Sequence, residues 1–86
     1  MLPNRQIVED PSFRKDLLAI EPDPKKADEL IDGAKWVLSR DPRQGQQLGG
    51  PYSSTWYFTI LIPGTGRYVA LYYAFDDREV LFVSII

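Results

Sequence analysis

The chain contains neither cysteine nor histidine. The first absence removes disulfide staples, thiolate nucleophiles and sulfur-ligated metals. The second removes imidazole bases, the Ser-His-Asp arrangement and histidine-bound zinc. No apolar run approaches the roughly 18 residues that a membrane span requires. The opening Met1-Leu2-Pro3-Asn4-Arg5-Gln6 has no basic segment followed by an apolar stretch, so no secretory leader is expected and the cytoplasm is the expected compartment. Charge of one sign is also lacking: ten basic residues stand against twelve acidic ones. The resulting −2 argues against general affinity for nucleic acid or anionic lipid. What is present is 86 residues, 44% of them hydrophobic and 26% charged, which suits one ordinary domain over residues 1–86. Its core must be small, so a partner that buries further surface would matter.

Proline punctuates the first half. Asp10-Pro11 and Asp23-Pro24 each put a capping carboxylate before a residue pre-set at helical φ. The spacing of Phe13, Leu17 and Ile20, with Leu18 alongside, predicts a helix over about 11–20. Ala27, Leu30, Ile31, Ala34, Val37 and Leu38 form one stripe, predicting a second helix over about 24–40. Asp41-Pro42 ends it, because a residue before proline is pushed out of the α region. Two helices with so short a break read as an antiparallel αα-hairpin. At 100° per residue Trp36 lies off the stripe, on the side of Asp32 and Ser39. It is a candidate partner anchor, with packing against the first helix or the following loop as the alternative.

Residues 43–55 are polar and glycine-rich and read as a long loop. From Trp56 the chain turns β-rich: Trp56–Ile62, Arg67–Phe75 and Glu79–Ile86 are separated by Pro63-Gly64-Thr65-Gly66 and Asp76-Asp77-Arg78. Gln6–Glu9 adds a candidate fourth strand. The order is (β)ααβββ, an α+β domain with an αα-hairpin packed on a small antiparallel sheet. Trp56, Phe58, Ile60 and Ile62 alternate with Tyr57, Thr59 and Leu61; Val69, Leu71, Tyr73 and Phe75 alternate with Tyr68, Ala70, Tyr72 and Ala74; Val80, Phe82 and Ile86 oppose Leu81, Val83 and Ile85. Neither face is polar, yet two short helices cover only one. The other marks an interface unless the loop and N-terminus fold over it. Trp56, Tyr57, Tyr68, Tyr72 and Tyr73 are therefore the candidate partner contacts beside Trp36.

This order, with its turn signals, resembles the RelE/ParE superfamily of bacterial type II toxin–antitoxin toxins. Leu38-Ser39-Arg40-Asp41-Pro42-Arg43-Gln44-Gly45-Gln46-Gln47-Leu48 is similar to the family's L-x-x-(N/D)-P-x-x-G-x-x-L signature. Tyr72 to Ile85 resembles its closing hairpin: a tyrosine-bearing strand, an acidic turn and an apolar strand. Phe13 and Leu17 resemble its first-helix pattern. The resemblance implies a RelE/ParE-like fold and a growth inhibitor neutralised by a cognate antitoxin. RelE-like members cleave messenger RNA at the ribosome, whereas ParE-like members inhibit DNA gyrase without being nucleases.

The family's nucleases use clustered lysines and arginines, a C-terminal tyrosine, or histidine and glutamate. Here all four lysines (Lys15, Lys25, Lys26, Lys35) precede the loop. A gapless alignment of the closing hairpins puts the nuclease arginine at Val69, two residues past Arg67. The resemblance also places the nucleases' basic segment beyond Ile86. Arg67, Arg43 and Tyr73 are left as the weak catalytic candidates. Asp76-Asp77 with Glu79 is what a hairpin turn uses in any case, Gly64-Thr65-Gly66 lacks the residues of a phosphate loop, and Ser53-Ser54-Thr55 has no base partner. No metal and no cofactor is expected, and direct nucleic-acid binding is disfavoured. The expected partners are an antitoxin and, as target, gyrase or the ribosome. The expected activity is protein contact of the ParE-like kind or a degenerate toxin. The alternatives are a divergent ribosome-dependent endoribonuclease and a small homo-oligomeric interaction domain without toxicity, a homodimer being one such form.

Overall fold

Both helices begin where an aspartate precedes a proline. In the computed structural model, which describes residues 4–86, Asp10 caps α1 (Pro11–Ile20) by accepting the Ser12 N–H at 2.9 Å. Asp23 caps α2 (Pro24–Arg40) by accepting the Lys25 N–H at 3.0 Å. Residues 1–3, which open the expected domain, lie outside the described residues. α2 ends where its stripe does, with the Asp41 N–H donating to the Val37 carbonyl.

The strands are β1 (Gln6–Glu9), β2 (Gln46–Gln47), β3 (Trp56–Ile62), β4 (Arg67–Phe75) and β5 (Glu79–Ile85). They form one sheet in the order β1-β5-β4-β3-β2. The expected antiparallel sheet is in fact mixed: β1 runs parallel to β5, pairing Ile7 with Val80 and Val8 with Leu81. The cause is topological, since β1 is joined to β5 through both helices and the whole meander, a connection long enough to return the chain in the same direction. The expected loop is also partly ordered. Pro42–Gln44 and Gly50–Tyr52 form 3₁₀ turns, and β2 pairs antiparallel with Trp56 and Tyr57.

One layer of core lies between the helices and the sheet. Phe13 and Leu17 of α1, with Ala27, Ile31, Ala34 and Leu38 of α2, pack on Val69, Leu71 and Tyr73 of β4 and Val80, Phe82 and Ile85 of β5. Phe13 and Phe82 anchor it as a tilted ring pair 5.2 Å apart, each ring contributing roughly 1.5–3 kcal/mol through burial. A bulge changes the last strand: Tyr72 pairs with Ser84 but Tyr73 with Phe82, leaving Val83 as an extra residue. Strict alternation groups Ile86, rather than Ile85, with Val80 and Phe82, the row that the structure buries. The bulge reverses them, so Ile85 is buried and Ile86 is 77% exposed.

An ion-pair network closes the seam on the β1 side. Arg14 grips Glu9 through two hydrogen bonds of 2.8 and 2.9 Å and reaches Asp28 at 2.7 Å, while Lys35 approaches Glu9 at 3.3 Å. These carboxylates hold the Arg14 guanidinium above its ordinary pKa, and together they link β1, α1 and α2.

Candidate functional surfaces

The helices occupy one face of the sheet, and the outer face carries aromatic and aliphatic side chains. Tyr57 of β3 lies opposite Tyr72 of β4, with rings 6.2 Å apart, and donates its hydroxyl to Gln46 Oε1 at 2.6 Å. Leu61 lies opposite Tyr68. These two keep 48% and 67% of their surface exposed. The polar segment after α2 extends the sheet as β2 at the β3 edge. The outer face thus presents exposed apolar surface, the property that marks a docking surface.

A second cluster forms where α2 meets the C-terminal end of β4. Phe75 ends the core-facing row of β4 and is half-buried. Arg5 and Arg43 bring their guanidinium carbons to 5.7 and 5.3 Å from its ring centre. Trp56 packs against the same ring at 5.5 Å, and Tyr73 stacks near it at 6.3 Å. Arg5 also donates Nε to the Asp76 carbonyl at 2.7 Å. Hydrogen bonds from the Gln44 side chain and the Arg43 backbone hold the Asp41 carboxyl below the usual range. The Arg78 and Glu79 backbone N–H groups do the same for Asp76, and nearby arginine charge lowers both carboxyls further. Carboxylates therefore offset the arginines locally, which weakens the cluster as a site for phosphate.

The three catalytic candidates do not form one site: Arg43 and Tyr73 both lie at Phe75, but Arg67 does not. Arg67 starts β4 and Arg43 lies beside its other end, about 26 Å away along the strand. Val69, where the nuclease arginine aligns, is only 4% exposed and belongs to the core. Tyr73, proposed both as catalytic and as a partner contact, is completely buried and presents no surface. It faces inward on the helix side of β4, and its hydroxyl donates to the Pro42 carbonyl at 2.5 Å. Burial pushes the phenol up to about 12, with the Gly45 backbone opposing that rise, so it is a poor base near neutral pH.

Among the partner candidates, Tyr57, Tyr68 and Tyr72 share the outer face. Trp56 is half-buried beside Phe75 on the opposite face. Trp36 stands alone on α2, 61% exposed, with the Arg40 guanidinium 4.0 Å above its ring. Sequence reasoning missed Arg5 and Phe75. Nothing local marks Arg5, and the parity of β4 groups Phe75 with Val69, Leu71 and Tyr73 without saying that this row faces the helices. Among the described residues, no group of three or more acidic side chains could hold a metal ion, and no helix is long and apolar enough to cross a membrane.

No family model and no curated relative matches the chain. Solved structures do match. A chain of the toxin–antitoxin complex RelBE2 from Mycobacterium tuberculosis superposes with a TM-score of 0.73 at 22% identity, covering 100% of this chain and 93% of that one. The fold is RelE-like. The solution structure of the conserved hypothetical protein HP0894 from Helicobacter pylori matches with a TM-score of 0.57 at 24% identity, over 94% of this chain and 91% of that one. The first superposition covers the whole chain, including the candidate strand at Gln6–Glu9 that forms β1. The resemblance read from the sequence is therefore met at the level of the fold.

Proposed function

We propose that this chain is the toxin-type component of a toxin–antitoxin pair, held by a protein antitoxin, and that it inhibits growth by protein contact of the ParE-like kind. The observation that carries the reading is the full-length structural match to a chain of a toxin–antitoxin complex. The mode of action draws support from three local facts. Arg67 and Arg43 stand at opposite ends of β4, the Tyr73 hydroxyl is buried and committed to Pro42, and the arginines near Phe75 are offset by Asp41 and Asp76. The apolar outer face, in contrast, is suited to binding protein.

Induced expression in a bacterial host, with growth followed over time, tests toxicity. Growth arrest is expected, and so is its relief by co-expressing the reading frame next to the gene. Arrest should survive Arg67→Ala and Arg43→Ala, and purified protein should reduce DNA supercoiling by gyrase. Normal growth despite folded, abundant protein would refute toxicity. Arrest with unchanged supercoiling at excess protein would remove gyrase as the target. Arrest abolished by either arginine substitution would restore the ribosome-dependent nuclease.

A further inference from the structure

The outer face of the sheet carries a size pattern of its own. β4 lies at the centre of the sheet, and its outer row runs Tyr68, Ala70, Tyr72, Ala74, large and small in strict turn. Its neighbours keep the scheme. Tyr57 and Leu61 of β3 flank Thr59, which lies opposite Ala70, and Ser84 of β5 lies opposite Tyr72. Ile86, just past β5, exchanges backbone hydrogen bonds of 2.9 and 3.0 Å with Ala70. Trp36 and Tyr52 apart, the most exposed large hydrophobic side chains among the described residues are Leu61, Tyr68, Val83 and Ile86, and all come from this three-stranded segment. The face is also free of charge: Arg67 belongs to the core-facing row of β4, and Glu79 sits at the rim where β5 begins. Such a surface offers nothing to a charged partner and no repulsion to its own kind.

An alternating row of this kind fits itself. Two sheets packed face to face lie about 10 Å apart and interdigitate their side chains. A two-fold axis between the sheets, crossing β4 at Leu71, runs the β4 strands of two copies antiparallel. It sets Tyr72 against Ala70 of the second copy and Tyr68 against Ala74 of the second copy. The same register sets Tyr57 against Thr59 and Ile86 against Ser84 of the second copy. Each large side chain then meets a small one, which is how a packed layer fills without voids. The parallel sense would put tyrosine on tyrosine and alanine on alanine.

We propose that the outer face of the sheet is a two-fold interface with a second copy of this chain, formed by antiparallel face-to-face packing of the tyrosine–alanine row of β4. Three strands, the longest of nine residues, give roughly 14 by 30 Å of facing sheet. That is about half the area per partner of a standard stable complex. The pair is therefore reversible, with a Kd on the order of tens of micromolar. The interface stands on the outer rows alone and holds whether or not the chain is a toxin. A target that used the same face would have to displace the second copy.

Sedimentation velocity on the full chain, from about 10 µM to about 1 mM, should show the mass rising toward that of a dimer. Ala70→Tyr sets tyrosine on tyrosine, and Tyr72→Ala leaves alanine on alanine. Each should weaken association at least about ten-fold. Joined in one chain, the two changes restore large against small and should bring association back to within about three-fold of the parent. A sample mixing isotope-labelled and unlabelled chains needs no variant: a filtered NOE is expected between the Ala70 methyl of one copy and the Tyr72 ring of the other. A chain still monomeric at about 1 mM would overturn the proposal and leave the face to a different protein. So would a dimer without that signal, or a double variant that is folded by its amide dispersion yet associates no better than the single ones. Toxicity is read from growth alone, so neither result bears on it.

Discussion

Tyr73→Phe removes a single oxygen from the core, and the structure states what that oxygen does. Its hydroxyl ties β4 to the turn after α2 by donating to the buried Pro42 carbonyl. The ring volume is kept, so no cavity term arises. The cost is the bond itself plus a carbonyl left dry and unpartnered, about 1–3 kcal/mol. The same burial raises the phenol from 10.0 to about 12. A raised folded value means that ionisation favours the unfolded chain. This contribution is intact below about pH 10 and is lost as pH climbs toward 12, at about 1.4 kcal/mol per pH unit. Gly45 makes the same contact testable from the other side. A Cβ there would collide with the Tyr73 hydroxyl and lie 2.5 Å from the Tyr57 carbonyl, so Gly45→Ala should cost more than about 2 kcal/mol. Tyr73→Phe removes one of those two obstructions. The combined cost should therefore fall short of the sum by about 0.5–1 kcal/mol. Urea titrations followed by the fluorescence of half-buried Trp56 measure each variant near neutral pH and again above about pH 10. The phenylalanine variant should lose less stability than the parent over the alkaline range. Strictly additive costs, or equal alkaline losses in both proteins, would refute the contact.

Three further outcomes follow from named contacts. Asp10→Ala and Asp23→Ala should each lower stability by about 1 kcal/mol, additively because the caps belong to separate helices, with denaturant midpoints as the check. Arg14→Met should destabilise by about 0.5–2 kcal/mol at low salt and less at high salt, because it leaves Glu9 with Lys35 alone. Trp36→Ala should change the unfolding midpoint little, within about 0.5 kcal/mol. If Trp36 anchors the antitoxin, the same change should weaken capture by the neighbouring gene's product at least about ten-fold in titration calorimetry, and unchanged affinity would remove Trp36 from the interface.

Much of the fold was legible because its signals are local. An aspartate before a proline satisfies a helix start with residues adjacent in sequence, so α1 and α2 begin where Asp10-Pro11 and Asp23-Pro24 predict. Alternation along β3 and β4 sorted the side chains into two rows that the structure keeps, and the packing of the helices decides which row is core. It failed in β5, where one added residue at Val83 reverses every later position, a cross-strand event without a local residue signature. Parity set Tyr73 in one row with Val69 and Leu71 but did not say which row faces the helices, so its aromatic character admitted a partner role. Only the packing of Gly45 and Pro42 against it removes that role. The arginine cluster was hidden because Arg5, Arg43 and Phe75 are far apart in the chain.

From the sequence alone came the absence of thiol and imidazole chemistry, the two capped helices, the β meander and the two-faced apolar sheet. Composition and periodicity are properties of neighbouring residues, and they act before the chain closes. The tertiary structure decided the parallel pairing of β1, the burial of Tyr73, the separation of Arg67 from Arg43, and the pairing of β3 with β4 along its whole length but with β2 at only two residues. Each depends on which distant segments meet and at what register. That choice is made by the hydrophobic layer as a whole and is not written in any one segment.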